Sequence, residues 1–459
     1  MSRVVLWCGS RRRDARVVTL VAAVLWCVPA SAQQPLAPAA PTSPAKPPVF
    51  NRANDVMPSW LRVRGEFRER FEGFTGSGFV DGRDDAYWLS RFRFNATVTP
   101  SRIVAFQVQG QDARVADKEV GPTGAPFRSG FDLRMAFADI GTPRSAVAAR
   151  VGRQELAYGD QRLVGHLSWL NTARTFDAAK VTLRTKNVLV DLFAASVVRI
   201  LPGEFDKSGA GNRFAGAYAT TTTLVPKSSV EPFVFWRADR SIKNESGVTA
   251  NLHAATVGVR WVGQLPKRLD YNSEMAVQTG SLGSDSVGAW AGHWQLRESY
   301  AGPHAVRISA ELNLASGDAN PTDGKRGTFD QLYPTPHDKY GLADQVGWRN
   351  IRHVRSGIEF TPTKKWQLGA NYHSWWLMDS HDALYTAGGA AIAKIAAGAS
   401  TRHVGQELDA QVSRPITPQL MLTGGIAHIF PGGFLKQTTP GASYTAPYLM
   451  ATYIFLADK

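Results

Sequence analysis

The sequence predicts an all-β fold: a transmembrane antiparallel β-barrel of about 18 strands with a polar, cationic lumen. Three observations support this prediction. Apolar and polar residues alternate with a period of two from Trp60 almost to the end of the chain. Charged residues collect on one face of the predicted strands, and short connections alternate with long ones. A water-filled barrel accounts for all three, because its inward side chains contact water while its outward side chains contact lipid.

The first predicted strand, residues 60–72, shows the alternation most clearly. Its apolar face carries Leu61, Val63, Phe67 and Phe71. Its charged face carries Arg62, Arg64, Glu66, Arg68, Arg70 and Glu72. Few water-soluble sheets would hold so many charges opposite such large apolar groups, so the charged face is expected to line a wet interior.

The same period predicts the remaining strands. In segment 131–139 the apolar, outward face is expected to carry Phe131, Leu133, Met135 and Phe137, and the inward face Asp132 and Arg134. The other predicted strands are 86–98, 103–111, 146–157, 176–185, 188–200, 212–224, 230–240, 253–262, 269–278, 287–298, 305–315, 349–361, 365–378, 401–412, 419–429 and 445–456.

The connections predict which end of the barrel faces which side of the membrane. Short segments such as 99–102, 185–187 and 362–364 alternate with long ones at 112–130, 158–175, 317–348 and 379–400. Outer-membrane barrels have short periplasmic turns and longer extracellular loops. Tryptophans that mostly lie near predicted strand ends indicate an interfacial girdle, with ordinary core tryptophans as the alternative. They are Trp60, Trp88, Trp169, Trp236, Trp261, Trp290, Trp294, Trp348, Trp366, Trp375 and Trp376.

The N-terminus has the features of a secretory signal peptide. Arg11, Arg12, Arg13 and Arg16 precede an apolar core at 17–28, and small residues at 30–32 form a cleavage site. We therefore predict a signal peptide at 1–32, a Pro/Ala-rich leader at 33–58 and the barrel at 59–459, in the outer membrane of a Gram-negative bacterium. Cleavage removes both cysteines, so the barrel is expected to be held by hydrogen bonds and packing without disulfides.

Composition and motifs exclude several function classes. The formal net charge is +14, but the basic residues are spread over many strands among many carboxylates, so we expect no nucleic-acid partner. HExxH, GxSxG and Walker motifs are missing, so we expect neither an enzyme nor a cofactor. His353 and His373 lack metal-ligand spacing and are interpreted as lumen lining.

One loop segment resembles the start of a calcium-binding loop. Its candidate ligands are Asp318, Asn320 and Asp323, but Phe329 stands where an EF-hand needs glutamate. We therefore favour an Asx-rich turn, with a calcium site in the loop as the alternative.

Two stretches, 152–177 and 315–350, resemble the alginate export family. The second contains SGD, PTDGKRGTFDQLYPTPH and YGLADQVGWRN, a combination that is unlikely to recur by chance. The resemblance covers about residues 61–455. It implies an 18-stranded outer-membrane pore with an electropositive interior that passes an acidic polysaccharide.

The predicted lumen residues follow from which strand face is apolar. The cations are Arg62, Arg64, Arg68, Arg70, Arg91, Arg93, Arg134, Arg153, Lys180, Arg184, Arg307 and Arg355. The carboxylates are Asp132, Asp191, Glu274 and Glu311. Arginine binds carboxylates bidentately, and several moderate sites in a row would guide an acidic polymer without trapping it. The alternative is that these arginines only pair with lumen carboxylates and stiffen the barrel.

Three functions remain open from the sequence. The first is an anion-selective pore that exports an acidic exopolysaccharide, with outer-membrane lipid and a periplasmic scaffold of a secretion complex as partners. The second is an uptake porin for small anions or acidic sugars. The third is a barrel enzyme or a structural envelope protein. We expect a monomer, since so wide a barrel closes without a partner subunit, and segment 317–348 is long enough to act as a plug.

Overall fold

The computed structural model describes residues 53–456. The predicted signal peptide, its cleavage site and the leader up to residue 52 lie outside this range. Within the described range no helix is long and apolar enough to cross a membrane. Two short helices occur, α1 at Ala53–Val56 and α2 at Gly433–Thr438. Asn54 of α1 donates to the carbonyls of Val63 and Leu456 at 2.7 and 2.8 Å, which fastens the end of the leader to the barrel.

Eighteen antiparallel strands form the barrel. They are β1 (Leu61–Phe74), β2 (Asp85–Ser101), β3 (Val104–Ala116), β4 (Ser129–Ile140), β5 (Val147–Gln154), β6 (Phe176–Arg184), β7 (Val188–Arg199), β8 (Lys207–Thr221), β9 (Ser228–Lys243), β10 (Thr249–Leu265), β11 (Leu269–Leu282), β12 (Asp285–Tyr300), β13 (Ala305–Ala315), β14 (Ile351–Thr363), β15 (Trp366–Leu377), β16 (His403–Pro415), β17 (Leu420–Pro431) and β18 (Tyr444–Phe455).

The barrel is closed because β1 pairs with both β2 and β18. The pairing with β18 runs from Gly65 opposite Phe455 to Glu72 opposite Tyr448. Every other barrel strand pairs with its two neighbours in the chain. Closure leaves no strand edge, so the ladder satisfies the backbone polar groups inside the membrane. The predicted fold class and strand number are confirmed.

The outer face carries a belt of exposed apolar side chains. Leu192 on β7 and Val257 on β10 are 44% and 48% exposed, and Ile308 and Leu408 are exposed in the same way. Their neighbours at the next position along each strand point into the barrel, as the period of two requires. The outer belt is therefore the lipid-facing surface.

A bulge in β4 reverses part of one predicted strand. Gln109 pairs with Met135 but Gly110 pairs with Leu133, so the register shifts between them. Met135 and Phe137 are consequently buried on the inner face, and their predicted outward orientation is wrong. An extra residue in one strand moves all following side chains to the opposite face.

Arg153 does not lie in the lumen, and its prediction as a lumen cation is wrong. It follows Val151, which is 52% exposed on the outer face of β5, and it shares the face of Val151. Its guanidinium pairs with Asp177 at 2.8 Å and donates to the carbonyl of Asp206 at 3.1 Å. Arg153 lies next to the last residue of β5, so its charge sits at the long-loop end of that strand.

Long connections fold back into the barrel. Segments 155–175, 316–350 and 378–402 carry much of the buried core, including Phe329, Tyr333 and Trp348. They pack against a group of aromatic side chains on the inner faces of β6 to β9. That group comprises Phe176, Phe193, Phe214, Tyr218, Phe233 and Phe235. We call segments 155–175 and 316–350 the first and second plug loops.

Three tryptophans lie inside the barrel and not in the girdle. Trp348 is fully buried in the second plug loop, and Trp375 on the inner face of β15 donates to the carbonyl of Tyr340 at 2.9 Å. Trp169 in the first plug loop stacks on His337 with ring centroids 3.7 Å apart. Assigning these three to the girdle is wrong, because closeness to a strand end does not reveal that a loop turns inward.

Candidate functional site: the lumen

The short-turn end of the lumen contains a basic cavity of about 420 Å³. Arg102, Arg150, Lys180 and Arg184 line it together with Asp139. We call these four cations the basic vestibule. Arg150 pairs with Asp139 at 2.7 Å, while Arg184 donates to the carbonyl of Ser145 at 3.1 Å. In outer-membrane barrels this end faces the periplasm, so a solute arriving from that side meets positive charge first.

Two vestibule residues, Lys180 and Arg184, were predicted from the sequence. Arg102 and Arg150 were missed, because Arg102 lies in a turn and the strand of Arg150 has adjacent alanines, Ala148 and Ala149, that obscure the alternation. Lys180 is also bound to Asp191, with Nζ 3.1 Å from the carboxylate. Asp191 was predicted as a lumen carboxylate, and it lies on the inner face of β7 opposite Thr182.

The remaining predicted cations near the short-turn end also lie on the inner face. Arg64 is exposed, whereas Arg62 donates to the carbonyls of Pro58 and Leu61 at 2.9 and 2.7 Å. Arg307 on β13 pairs with Glu359 at 2.5 Å. Arg64 is therefore the most exposed guanidinium of this group.

Nearer the long-loop end of the barrel, three of the predicted arginines bind the first plug loop. Arg68 and Arg91 both donate to the carbonyl of Ser168, at 3.0 and 2.9 Å. Arg70 donates to the carbonyl of Trp169 at 2.5 Å and stacks on its ring, with Cζ 4.0 Å from the centroid. All three side chains are almost completely buried. They anchor the loop in this conformation, which agrees with the stiffening role kept as the alternative.

Further buried polar contacts of this kind lie on the inner faces of β2 to β4. Arg93 donates to Gln111 at 2.7 Å, and Arg134 donates to Gln109 at 2.5 Å and pairs with Glu155 of the first plug loop. Asp132 accepts a hydrogen bond from the backbone N–H of Asp206 at 2.5 Å. These predicted lumen residues thus fix loops to the wall.

Arg162 joins both plug loops to the barrel, and the predicted lumen set did not include it. Its guanidinium lies 2.9 Å from Glu311 on β13, 3.1 Å from Asp160 and 3.3 Å from the hydroxyl of Tyr340. Burial alone would raise the pKa of Asp160, but Lys339 and Arg162 lower it to about 2. No local pattern in loop 155–175 reveals that Arg162 points inward.

Two other predicted residues lie close to this network. Arg355 is 3.8 Å from Glu311 and donates to Asn371 at 3.1 Å. Glu274 is buried on β11, opposite Arg260 of β10 and His293 of β12.

The long-loop end has a second cluster of arginines. Asp330 lies 2.5 Å from Arg237 and also pairs with Arg349, and these residues line a cavity of about 220 Å³ together with Arg326. Burial would raise the pKa of Asp330, but Arg237, Arg349 and Arg326 hold it well below its usual range. Cationic groups therefore occur at both ends of the plugged section.

The calcium-loop candidates use their oxygens locally. Asp318 accepts from the backbone N–H of Asn320 at 3.3 Å, and Asp323 accepts from that of Lys325 at 2.9 Å. Asn320 accepts from the hydroxyl of Thr322 at 2.9 Å. These contacts are those of an Asx-rich turn.

Comparison with known proteins agrees with this architecture. A family model described as alginate export matches residues 59–448. OccK11 (OpdR) of Pseudomonas aeruginosa is similar with a TM-score of 0.55 and 11% identity, covering 86% of this chain and 96% of its own. A BenF-like porin from Pseudomonas fluorescens Pf-5 is similar with a TM-score of 0.56 and 10% identity, covering 86% and 99%. No curated protein matches the sequence significantly. The chain is an outer-membrane pore by family and by architecture.

Proposed function

The chain belongs to the alginate export family, and on this premise we propose that it is an anion-selective pore that exports an acidic exopolysaccharide. The observation that carries the proposal is the basic vestibule at the short-turn end. Its four cations are accompanied by the carboxylates of Asp139 and Asp191, so positive charge is in excess. A low-dielectric wall focuses this potential and raises the local concentration of anions.

The vestibule suits a polymer of acidic sugars in particular. A polyuronate has one carboxylate per sugar, which an arginine can bind with two parallel hydrogen bonds. The guanidinium is weakly hydrated, so exchanging one carboxylate for the next is inexpensive. Several moderate sites permit both binding and release, whereas one tight site would block the pore.

Passage of a polymer requires the plug loops to move. In this structure Arg68, Arg70 and Arg91 bind the first plug loop, and Arg162 ties it to the second. We propose that contact with a periplasmic scaffold or with the polymer itself releases the loops. The pore would act as a monomer in outer-membrane lipid, without a cofactor or catalytic step.

The proposal is tested by planar-bilayer recordings of the refolded chain with oligouronates added at the short-turn side. We expect anion-selective current that oligouronates block. The double variant Lys180→Glu/Arg184→Glu should shift the reversal potential toward cations and raise the half-blocking concentration at least tenfold. Arg144→Glu is the matched control, because Arg144 is exposed in a turn at the same end and does not line the cavity. Unchanged selectivity and block in the double variant would refute an anion pathway through the vestibule.

A second candidate is an uptake porin for small anions or acidic sugars. The plugged lumen favours it, because a cavity of about 420 Å³ accommodates a sugar more readily than a chain. The two functions differ in the effect of solute length. A porin for small solutes would be blocked as well by monomeric uronate as by oligomers, whereas an exporter should bind oligomers at least tenfold more tightly.

A further inference from the structure

A buried cluster on the inner wall is not used by the proposed anion pathway. It comprises His373 on β15 with Glu407 and Asp409 on β16, and one ligand atom from each residue lies within 4.8 Å of the other two. Their exposed fractions are 0%, 1% and 5%. His373 pairs directly with Glu407 in the strand register. Residue spacing does not reveal this cluster, because strand pairing brings residues together that are distant along the chain.

Neighbouring groups hold the second polar atom of each cluster residue. These contacts join His373 Nδ1 to His353 Nε2 (2.9 Å), Asp409 Oδ1 to Asn371 Nδ2 (2.7 Å) and Glu407 Oε1 to the backbone N–H of Leu342 (2.5 Å). The remaining polar atoms are His373 Nε2 and Asp409 Oδ2, which lie 2.9 Å from each other, and Glu407 Oε2. A first set of ligand atoms oriented by a second set of hydrogen bonds is the usual construction of a metal site.

The electrostatics of the cluster call for a cation. Glu407 Oε2 is buried and has no hydrogen-bond partner within the described part of the chain. A buried carboxylate with an unsatisfied oxygen beside a second carboxylate is strongly unfavourable. One imidazole nitrogen and two carboxylate oxygens form a donor set that Zn²⁺ and related ions accept. Zn²⁺ bonds of 2.0–2.2 Å would place neighbouring ligand atoms roughly 3.4 Å apart. In the structure His373 Nε2 and Asp409 Oδ2 are 2.9 Å apart, and all three ligand atoms lie within 4.8 Å of one another, so this spacing falls within the range that the cluster spans.

We propose that His373, Glu407 and Asp409 bind one divalent transition-metal ion of the Zn²⁺ class. The ion would also pin the second plug loop, because Glu407 accepts hydrogen bonds from the backbone N–H groups of Leu342 and Ala343. These two residues belong to the YGLAD sequence of that loop. The site is independent of which solute the pore carries.

Metal binding and metal-free hydrogen bonding require different positions of the ring protons. Ligation at His373 Nε2 places its proton on Nδ1, where His353 accepts it. The Asn313 amide nitrogen lies 2.9 Å from His353 Nδ1, so this amide must then turn its oxygen toward His353 and lose its present contacts with Arg162 and Glu311. Without metal, His373 Nε2 lies 2.9 Å from Asp409 Oδ2, within hydrogen-bond distance. The two states therefore differ in whether His373 Nε2 contacts a metal ion or the carboxylate of Asp409.

Measuring how many metal ions each protein binds distinguishes the metal-bound cluster from the metal-free one without any transport assay. The refolded chain in detergent, stripped with EDTA, is titrated with Zn²⁺ by calorimetry and with Co²⁺ by visible absorption. His381→Ala is included in every protein, because His381 lies partly exposed 3.3 Å from Asp379 and offers an unrelated zinc ligand. We expect one equivalent of metal and a tetra- or pentacoordinate Co²⁺ spectrum.

Two variants locate the bound metal. Glu407→Gln and His373→Asn should weaken binding at least tenfold. Asp139→Asn, which removes an inward carboxylate in the basic vestibule, should leave binding unchanged and is the matched control. Uptake of less than 0.2 equivalents by the parent protein would overturn the proposal, as would equal affinity in parent and Glu407→Gln. If a variant does not fold, the stoichiometry and Co²⁺ spectrum of the parent still decide.

Discussion

Replacing Arg162 by Met should open the plugged pore. Arg162 belongs to the first plug loop and contacts Glu311 of the barrel wall and Tyr340 of the second plug loop. Met keeps much of the buried volume but leaves the carboxylate of Glu311, which is 1% exposed, with Arg355 at 3.8 Å as its remaining cation. Removing one member of a buried ion pair costs about 3–5 kcal/mol. We take the lower value, about 3 kcal/mol, because Arg355 stays.

This loss should act mainly on the docking of the loops, because the ladder of the barrel does not involve Arg162. Since about 1.4 kcal/mol corresponds to a factor of ten, the ratio of undocked to docked loops should rise about a hundredfold. Single-channel recording measures this ratio as the fraction of time in the high-conductance state. Urea unfolding in lipid vesicles should show a much smaller change.

Two further proteins make the measurement specific. Arg144→Met removes an exposed arginine from a turn and should behave like the parent. The double variant Arg162→Met/Glu311→Gln also removes the negative charge of Glu311, which Arg162 no longer neutralises, and should recover part of the docking free energy. If Arg162→Met leaves the open fraction within twofold of the parent, the ion pair does not hold the plug and the reasoning fails.

Three other changes test separate parts of the structure. Gly341 has φ +131°, and an added Cβ would lie 2.9 Å from both carboxylate oxygens of Glu407; Gly341→Ala should therefore cost about 1–3 kcal/mol of loop docking and raise the open fraction. Gly130→Ala should not, because Gly130 has no positive φ and nothing lies within 4 Å of an added Cβ there. Leu192→Arg places a charge on the lipid face and should lower the unfolding free energy by about 2–4 kcal/mol, and a urea-measured loss below about 1 kcal/mol would contradict that face assignment. Asp160 has a pKa lowered to about 2 in the folded chain, so its stabilising contribution is complete above pH 4 and disappears as the pH falls toward 2. The difference in unfolding free energy between the parent and Asp160→Asn should therefore shrink over that range. A constant difference would argue against the ion pairs of Asp160.

The strands and their inner and outer faces were predictable from the sequence because a period of two is local information. Apolar Leu192 is expected on the outer face, which contacts lipid, and charged Asp191 on the inner face, which contacts water. The prediction failed where local geometry broke the period, as in the bulge before Met135. It also failed for Arg153, which shares the outer face of Val151 near the end of β5.

The roles of the inner arginines could not be predicted in the same way. Alternation places Arg68 and Arg91 in the lumen, but it does not show that a loop 100 and 77 positions further along the chain supplies carbonyl groups to bind them. Arg162 was missed for the converse reason, since a loop has no period that tells which way its side chains point. Contacts of this kind depend on how the loops fold back into the barrel.

The sequence by itself therefore determined a closed barrel of 18 strands, its lipid belt, the inward position of Lys180 and Arg184, and the existence of long loops. Only the tertiary structure decided that two of those loops fill the lumen, that Arg70 anchors one of them, and that His373 meets Glu407 and Asp409. The physical reason is the range of the interactions. Alternation is imposed residue by residue by the membrane and the water around it, whereas plug contacts and the buried cluster arise between segments that only strand closure and loop docking bring together.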